Sequence, residues 1–199
     1  PGGSLPGACA RHVHGEPSGF SWRFCGGPVG VIYAVDDDIP YLLLTPGPLT
    51  TSRTVRDAMM RDYCTWDNDY NHRVTAIRQS LVALASEEPG QYTSVLMQGS
   101  GTFAVESTLG SVVPNEGKLL ILANGVYGRR MVEIARYLHI DHRTIDQPET
   151  EATDTVQVAH ALQEDPAITH VAMVHCETTT GMLNPVKAIG KLVSDAGRV

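Results

Sequence analysis

From Ser94 onward, the sequence alternates between short apolar segments and longer segments whose apolar residues recur at helical spacing. The short segments are rich in β-branched and large aliphatic residues, which predicts strands over residues 94–98, 118–123, 142–146 and 170–175. The intervening segments predict helices over 102–113, 127–139, 153–164 and 186–196, with two more upstream over 53–61 and 71–87. Because alternating strands and helices form mostly parallel sheets covered on both faces, we predict a three-layer α/β/α fold.

Length and charge exclude several kinds of protein. A chain of 199 residues with 42% hydrophobic residues buries one sizeable core. Its formal net charge of −7 repels a phosphate backbone, so we expect no nucleic-acid partner. No apolar run reaches the roughly 18 residues of a membrane span and no secretory signal pattern is present, so we expect a soluble, cytoplasmic protein without a membrane partner.

The first forty residues differ from the remainder. Their glycines and prolines break any periodicity, and they form an N-terminal segment that is a linker, the tail of an upstream domain or sequence foreign to the protein. Residues 41–44 then form a strand-like apolar run. The prolines that follow, Pro46 and Pro48, restrict the backbone to a rigid turn suited to a binding loop or a chain reversal. We therefore place the ordered domain at 41–199.

Cysteines and histidines give little sign of a reactive or metal centre. The four cysteines form no CxxC pair and are expected to be reduced structural thiols. His139 and His142 could share a helical face, but Asp141 and Asp146 are the only supporting groups nearby, and we predict no metal site. His175 and Cys176 are adjacent in a strand and so point to opposite faces, which argues against a cysteine–histidine enzyme.

A glycine-rich loop, Gln98-Gly99-Ser100-Gly101-Thr102, ends a predicted strand and opens a predicted helix. Glycines allow backbone N–H groups to approach an anion closely, and the start of a helix adds free donors and the positive end of its dipole. The hydroxyls of Ser100 and Thr102 add two more donors. The loop therefore predicts a phosphate site, although a plain turn in which Ser100 or Thr102 caps the helix remains an alternative.

The same loop fits the dinucleotide pattern G-x-G-x-x-A through Gly99, Gly101 and Ala104. A dinucleotide site needs an acidic residue at the end of the next strand, where this sequence has Asn124. The lysine of a P-loop is missing as well. An NAD-dependent dehydrogenase is therefore kept only as an alternative.

Two further strand ends carry polar or aromatic residues. The segment 124–130 offers Tyr127, which either covers a flat cofactor ring or packs in the interior. The segment 175–181 offers a row of hydroxyls, among them Thr178. Because ligands collect at the carboxyl edge of an open parallel sheet, these residues are predicted to surround one site with the glycine-rich loop.

A phosphate loop, an aromatic residue and a hydroxyl row in this order resemble the class V aminotransferases, which are pyridoxal-phosphate enzymes of fold type I. The details look like the 2-aminoethylphosphonate–pyruvate aminotransferase family. The resemblance rests on five segments between residues 41 and 199, namely 42–48, 64–71, 98–102, 124–130 and 175–185. It implies a homodimer that transfers the amino group of 2-aminoethylphosphonate to pyruvate, giving phosphonoacetaldehyde and L-alanine in bacterial phosphonate breakdown.

The resemblance also assigns roles to individual residues. Ser100, Gly101 and Thr102 would hold the phosphate of pyridoxal 5'-phosphate. Tyr127 would stack on the cofactor ring, and Thr178 would bond near its phenolic oxygen. The segment Thr45, Pro46 and Gly47 would line the substrate side of the pocket.

The resemblance places the family's Schiff-base lysine, and the aspartate that pairs with the ring nitrogen, beyond Val199. The sequence has three lysines, Lys118, Lys187 and Lys191, all outside the predicted cofactor site. No catalytic residue is therefore expected within this chain, which we expect to be inactive alone. A non-catalytic phosphate- or cofactor-binding fragment remains an alternative.

Overall fold

The computed structural model describes residues 21–24, 32–35 and 42–199. The chain divides into two compact units, Pro1–Thr75 and Ala76–Val199. Among the described residues, no helix combines the length and the apolar composition needed to cross a lipid bilayer.

The first unit contains an antiparallel strand pair, β1 (Ser21–Phe24) and β2 (Ile32–Val35), and the helix α1 (Arg53–Met59). The predicted strand at 41–44 is reduced to a single bridge between Leu44 and Leu49, and Tyr41 lies outside the described residues. The bridge closes the turn Thr45–Pro48, as the prolines predict, and within this turn the Thr45 hydroxyl donates to the carbonyl oxygen of Pro48.

The helix α2 (Asn68–Ala85) and a short 3₁₀ turn at Pro89–Gln91 precede the main alternating region. That region consists of the following elements in chain order: α3 (Gly101–Val112), β3 (Lys118–Ala123), α4 (Val126–Tyr137), β4 (Asp141–Asp146), α5 (Thr155–Glu164), β5 (Ile168–Met173), β6 (Cys176–Glu177), β7 (Met182–Leu183) and α6 (Val186–Asp195). The helix α4 ends where His139 adopts a positive φ of 57°.

Three strands form a parallel sheet in the order β4-β3-β5, with β3 at the centre. Five of the six residues of β3 are buried, because each face of the strand is covered by helices. Leu119 and Ile121 pack into one cluster with residues of α3 and α4. Leu120 and Leu122 pack into a second cluster with residues of α5 and α6. The two-residue period of a strand thus divides the apolar residues between two layers, which confirms the predicted three-layer fold.

The predicted strand at 94–98 is wrong, because these residues have no regular structure. A strand exists only when a neighbour completes its hydrogen bonds, and within the described part of the chain no strand pairs with this segment. Its apolar residues remain partly exposed, with Val95 at 75% and Leu96 at 45%. The sequence also failed to predict the short antiparallel hairpin of β6 and β7, which follows β5.

Candidate functional site

A pocket of about 520 Å³ opens where the start of α3, the first turns of α4 and the segment after β5 meet. This volume lies in the range of small-molecule and cofactor sites. Its walls combine hydroxyls, one cation and apolar side chains, from the following residues: Ser100, Gly101, Thr102, Val105, Tyr127, Arg130, Met131, Ile134, Met173, Val174, Cys176 and Thr178. All five residues predicted to bind a cofactor are among them.

The glycine-rich loop presents open hydrogen-bond donors to this pocket. Ser100 is the N-cap of α3, and its Oγ accepts a hydrogen bond from the Phe103 N–H at 3.2 Å. The Ser100 hydroxyl proton stays available, because a hydroxyl donates and accepts at the same time. The N–H groups of Gly101 and Thr102 have no partner within the part of the chain that the structure describes. The start of α3 is therefore both capped, as the alternative interpretation held, and suited to an anion.

Gly99 has the backbone conformation that only glycine adopts at low cost. Its φ is 145°, and a Cβ at this position would lie 2.7 Å from Cδ1 of Phe103. A larger residue here would displace the first turn of α3, and the free N–H groups with it.

One face of α4 forms the opposite wall of the pocket. Tyr127, Arg130, Met131 and Ile134 lie at positions i, i+3, i+4 and i+7, so they share one side of the helix. Tyr127 is 45% exposed, which shows that its ring is not packed in the interior and is free to contact a ligand. No sequence signal predicted a role for Arg130, although it lines the pocket and has no hydrogen-bond or ion-pair partner among the described residues.

The neighbouring cation, Arg129, is engaged elsewhere. It forms ion pairs with Glu149 at 2.8 Å and with Asp146 at 3.5 Å. The hydrogen bond to Glu149, aided by the charge of Asp146, raises the pKa of Arg129 above its usual value. Of the two consecutive arginines, only Arg130 is placed to attract an anion into the pocket.

Asn124 occupies the position where a dinucleotide site needs a carboxylate, and its side chain is fully used inside the protein. It is buried and donates to the side-chain oxygen of Asn184 at 2.8 Å and to the carbonyl oxygen of Glu151 at 2.9 Å. No group at this position is therefore available for ribose hydroxyls, which argues against the dehydrogenase alternative.

The hydroxyl row after β5 serves two purposes. Thr178 lines the pocket, whereas the hydroxyl of Thr179 donates to Oε1 of Glu177 at 2.9 Å. Glu177 itself is fully buried and contacts the first turn of α4. No sequence signal predicted the burial of Glu177. A glutamate is ordinarily exposed, and its burial depends on which helix covers the end of the strand.

Several sequence predictions fall outside this pocket. Thr45, Pro46 and Gly47 belong to the first compact unit, and their role in substrate binding stays a prediction. His139 follows α4 and His142 lies in β4, so the two imidazoles do not share a helical face. In the described ranges, no group of three histidine, cysteine or acidic side chains is placed to hold a metal ion.

Known proteins similar to this chain are aminotransferases. A curated 2-aminoethylphosphonate–pyruvate transaminase from Syntrophobacter fumaroxidans is 61% identical over 160 residues, which cover 80% of this chain and 43% of that protein. A transaminase of the same name from Bacillus thuringiensis is 54% identical over 159 residues, covering 80% of this chain and 44% of its own length. The crystal structure of an alanine–glyoxylate aminotransferase from Nostoc sp. superposes with a TM-score of 0.70 at 28% identity, over 84% of this chain and 46% of that one. No protein-family model matches the chain.

The parallel sheet with its strand-edge pocket has the fold-type I architecture of the aminotransferases to which the chain is similar. The chain spans less than half the length of the curated relatives it matches. Over the aligned residues its sequence is similar to the 2-aminoethylphosphonate–pyruvate transaminases, and it corresponds to a part of those longer proteins.

Proposed function

We propose that the pocket binds the phosphate and ring of pyridoxal 5'-phosphate in an enzyme that transfers the amino group of 2-aminoethylphosphonate to pyruvate. The products are phosphonoacetaldehyde and L-alanine. The observation that carries the proposal is that the helix start at Ser100–Thr102, the ring of Tyr127 and Thr178 all line one pocket. The names of the curated relatives support the choice of substrates.

The start of α3 would hold the cofactor phosphate. The N–H groups of Gly101 and Thr102 and the hydroxyls of Ser100 and Thr102 supply up to four donors. A hydrogen bond to a charged group contributes about 1.5–3 kcal/mol, and the helix dipole adds about 0.3–1 kcal/mol. Arg130 adds a long-range attraction for the anion from the facing wall. Of all parts of the ligand, the phosphate would therefore be bound most tightly by the protein.

The remaining walls would orient the flat ring. Tyr127 stacks on it, which adds about 0.5–1.5 kcal/mol beyond the burial of area. Thr178 donates a hydrogen bond to the phenolic oxygen. Bound in this way, the cofactor supplies an electron sink for breaking bonds at the amino-bearing carbon.

The chain's lysines have no place in this pocket. Lys118 begins β3 at the edge of the sheet opposite the pocket and pairs with Asp165, while Lys191 pairs with Asp195 on α6. Lys187 also lies on α6 and is absent from the pocket lining. The proposal therefore assigns this chain binding and orienting roles and no covalent role. We further propose that the complete enzyme is a cytoplasmic homodimer in which Thr45–Gly47 face the substrate.

Pyridoxamine 5'-phosphate tests the binding role, because its amine does not react with lysines. Cys176 lines the pocket and is exposed, so its alkylation by iodoacetamide reports occupancy by peptide mass spectrometry. The exposed thiol of Cys64, in the other compact unit, is the internal reference. We expect pyridoxamine 5'-phosphate to protect Cys176 and not Cys64, and pyridoxamine without phosphate to need at least about tenfold higher concentration.

Two variants of α4 sharpen the test. Tyr127→Leu should weaken protection by about two- to tenfold, the range that loss of one aromatic contact produces. Tyr137→Leu, at a 78% exposed position on the same helix outside this pocket, should leave it unchanged. The proposed site would be contradicted if NAD protected Cys176 as well as pyridoxamine 5'-phosphate does, or if pyridoxamine 5'-phosphate did not protect Cys176 at all.

A further inference from the structure

Glu177 is the only buried charged side chain among the residues that the structure describes. It lies in β6, and its carboxylate points at the first turn of α4. Oε2 accepts a hydrogen bond from the backbone N–H of Tyr127 at 3.2 Å, and Oε1 accepts one from the Thr179 hydroxyl at 2.9 Å. Burying a carboxylate is costly unless its hydrogen bonds are made, so this placement calls for a specific role.

The helix α4 has no capping group of its own. Its N-cap is Gly125, which has no side chain to accept a hydrogen bond, and its first turn contains no acidic residue. Helix starts are stabilised by an acceptor at the N-cap and by negative charge. Glu177 supplies both from a different strand, fifty residues further along the chain.

Gly125 is what allows this approach. A Cβ built on Gly125 would lie 2.4 Å from both Cγ and Cδ of Glu177. The carboxylate therefore sits directly against the backbone of the helix start, where its distance to the Tyr127 N–H is set by close packing.

The same contact holds two walls of the pocket together. Tyr127 and Thr178 both line the pocket, and Glu177 bonds to the backbone of the first and directly precedes the second. The backbone position of Tyr127 sets the direction of its Cα–Cβ bond and hence the plane of its ring. A displaced first turn of α4 would move the ring without altering the start of α3.

We propose that Glu177 is a positioning residue that holds the ring of Tyr127 against a planar ligand bearing a phosphate. The inference rests on the proposed function, since the ligand is the pyridoxal-phosphate type of molecule named there. Glu177 itself does not contact the ligand. It acts through the N–H of Tyr127, and its effect on binding depends on the presence of that ring.

A double-mutant cycle between Glu177 and Tyr127 tests the inference in the full chain. The dissociation constant of pyridoxamine 5'-phosphate is measured for the wild-type chain, Glu177→Ala, Tyr127→Leu and the double variant. We expect Glu177→Ala to weaken binding by about two- to tenfold, the range of one aromatic contact. In the Tyr127→Leu background the same substitution should have no further effect, because the ring it positions is gone.

Two controls separate positioning from general loss of structure. Binding of inorganic phosphate should stay within about twofold of the wild type in Glu177→Ala, because the donors of α3 are untouched. Glu149→Gln removes the negative charge that pairs with Arg129 of the same helix at the surface, and should leave the dissociation constant of pyridoxamine 5'-phosphate unchanged. Far-UV circular dichroism checks that each variant is folded.

Glu177→Gln keeps the inference testable if Glu177→Ala does not fold. Its amide oxygen still accepts from the Tyr127 N–H, and the Thr179 hydroxyl can turn to accept from the amide, so only the charge is lost. We expect Glu177→Gln to weaken the binding of pyridoxamine 5'-phosphate by less than Glu177→Ala does. In the Tyr127→Leu background, Glu177→Gln should have no effect on this binding. The inference would be overturned if the Glu177 substitutions weakened ligand binding equally with and without the Tyr127 ring, or if neither substitution weakened it. Either result would leave the proposed function standing. A wild-type chain that does not bind pyridoxamine 5'-phosphate would overturn both.

Discussion

Asn124 and Asn184, sixty residues apart in the chain, each donate a side-chain hydrogen bond to the other's amide oxygen, at 2.8 and 2.9 Å. Asn124 directly follows β3, and Asn184 directly follows β7. Both side chains are buried. The pair therefore ties the carboxyl end of the central strand to the hairpin that follows β5.

The two amides also hold neighbouring segments. Asn184 donates to the carbonyl oxygen of Val174 and accepts from the N–H and hydroxyl of Thr153, while Asn124 donates to the carbonyl oxygen of Glu151. Four segments at the pocket edge of the sheet thus meet in one buried polar network. Such a network is rigid when every member is satisfied, and removal of one member leaves the others unpaired.

Replacing Asn184 by alanine is expected to destabilise the protein by about 2–3 kcal/mol, because it removes the donor to the buried amide oxygen of Asn124 and the acceptor for the N–H and hydroxyl of Thr153. Urea unfolding followed by circular dichroism measures the change. Asn115→Ala, at an exposed position between α3 and β3, is the matched control and should change stability by less than about 0.5 kcal/mol. Equal stabilities for the two variants would show that the network contributes little.

The ion pair of Lys118 and Asp165 predicts a dependence of stability on pH. Its Nζ–Oδ2 distance is 2.8 Å, and both side chains are mostly covered. The hydrogen bond from Lys118, with a further one from the Ala167 N–H, lowers the pKa of Asp165 below its ordinary 3.8. The hydrogen bond to Asp165, aided by the charge of Asp141, raises the pKa of Lys118 above 10.5.

A carboxyl group whose pKa falls on folding stabilises the protein above its ordinary pKa, and this contribution is lost as the pH falls through the lowered value. An ammonium group whose pKa rises on folding stabilises below its ordinary pKa and loses this contribution in strong base. The wild type should therefore exceed Asp165→Asn in Tm at pH 5–8, and the gap should narrow below about pH 3.8. Asp195→Asn removes the exposed pair with Lys191 and should show little difference at any pH. A gap that stays constant down to pH 2 would contradict the assignment.

Gly125→Ala is expected to destabilise the protein by about 1–3 kcal/mol through overpacking. The backbone at Gly125 is extended, with φ at 166°, so an alanine is acceptable there except for its contact with Glu177. In a Glu177→Ala background the clashing atoms are absent, and the same substitution should cost less than about 0.5 kcal/mol. Chemical unfolding of the four chains measures the difference.

Gly190→Ala is the control for this cycle, since a Cβ at that position in α6 meets nothing within 4 Å. It should stabilise the protein by about 0.5–1 kcal/mol, as alanine does in a helix interior. An equal cost of Gly125→Ala with and without the Glu177 side chain would place the strain in the backbone instead.

The helices were predictable because their signals are local. Each of the six lies within three residues of the span expected from apolar periodicity, and side chains such as Ser100 and Asp154 cap their own helices. The strand at Lys118–Ala123 matches its prediction fully. A continuous apolar run between two helices is typical of a strand that is buried on both faces at the centre of a parallel sheet. The segment 124–130, which contains Tyr127, was recognisable for the same reason, since it follows this strand directly.

Pairing and burial were decided by the tertiary structure. The segment 94–98 has the composition of a strand but does not form one in the described structure. A strand needs a neighbouring strand to pair with, and composition alone does not determine whether one is present. The sequence by itself determined the helices, the parallel core strands and the order of the pocket's polar groups, all of which depend on residues close together in the chain. Only the folded chain decided that Asn184 meets Asn124 and that Glu177 caps α4, because those contacts join residues fifty or sixty positions apart. Their energies arise from desolvation and close packing, which exist only once the elements have assembled.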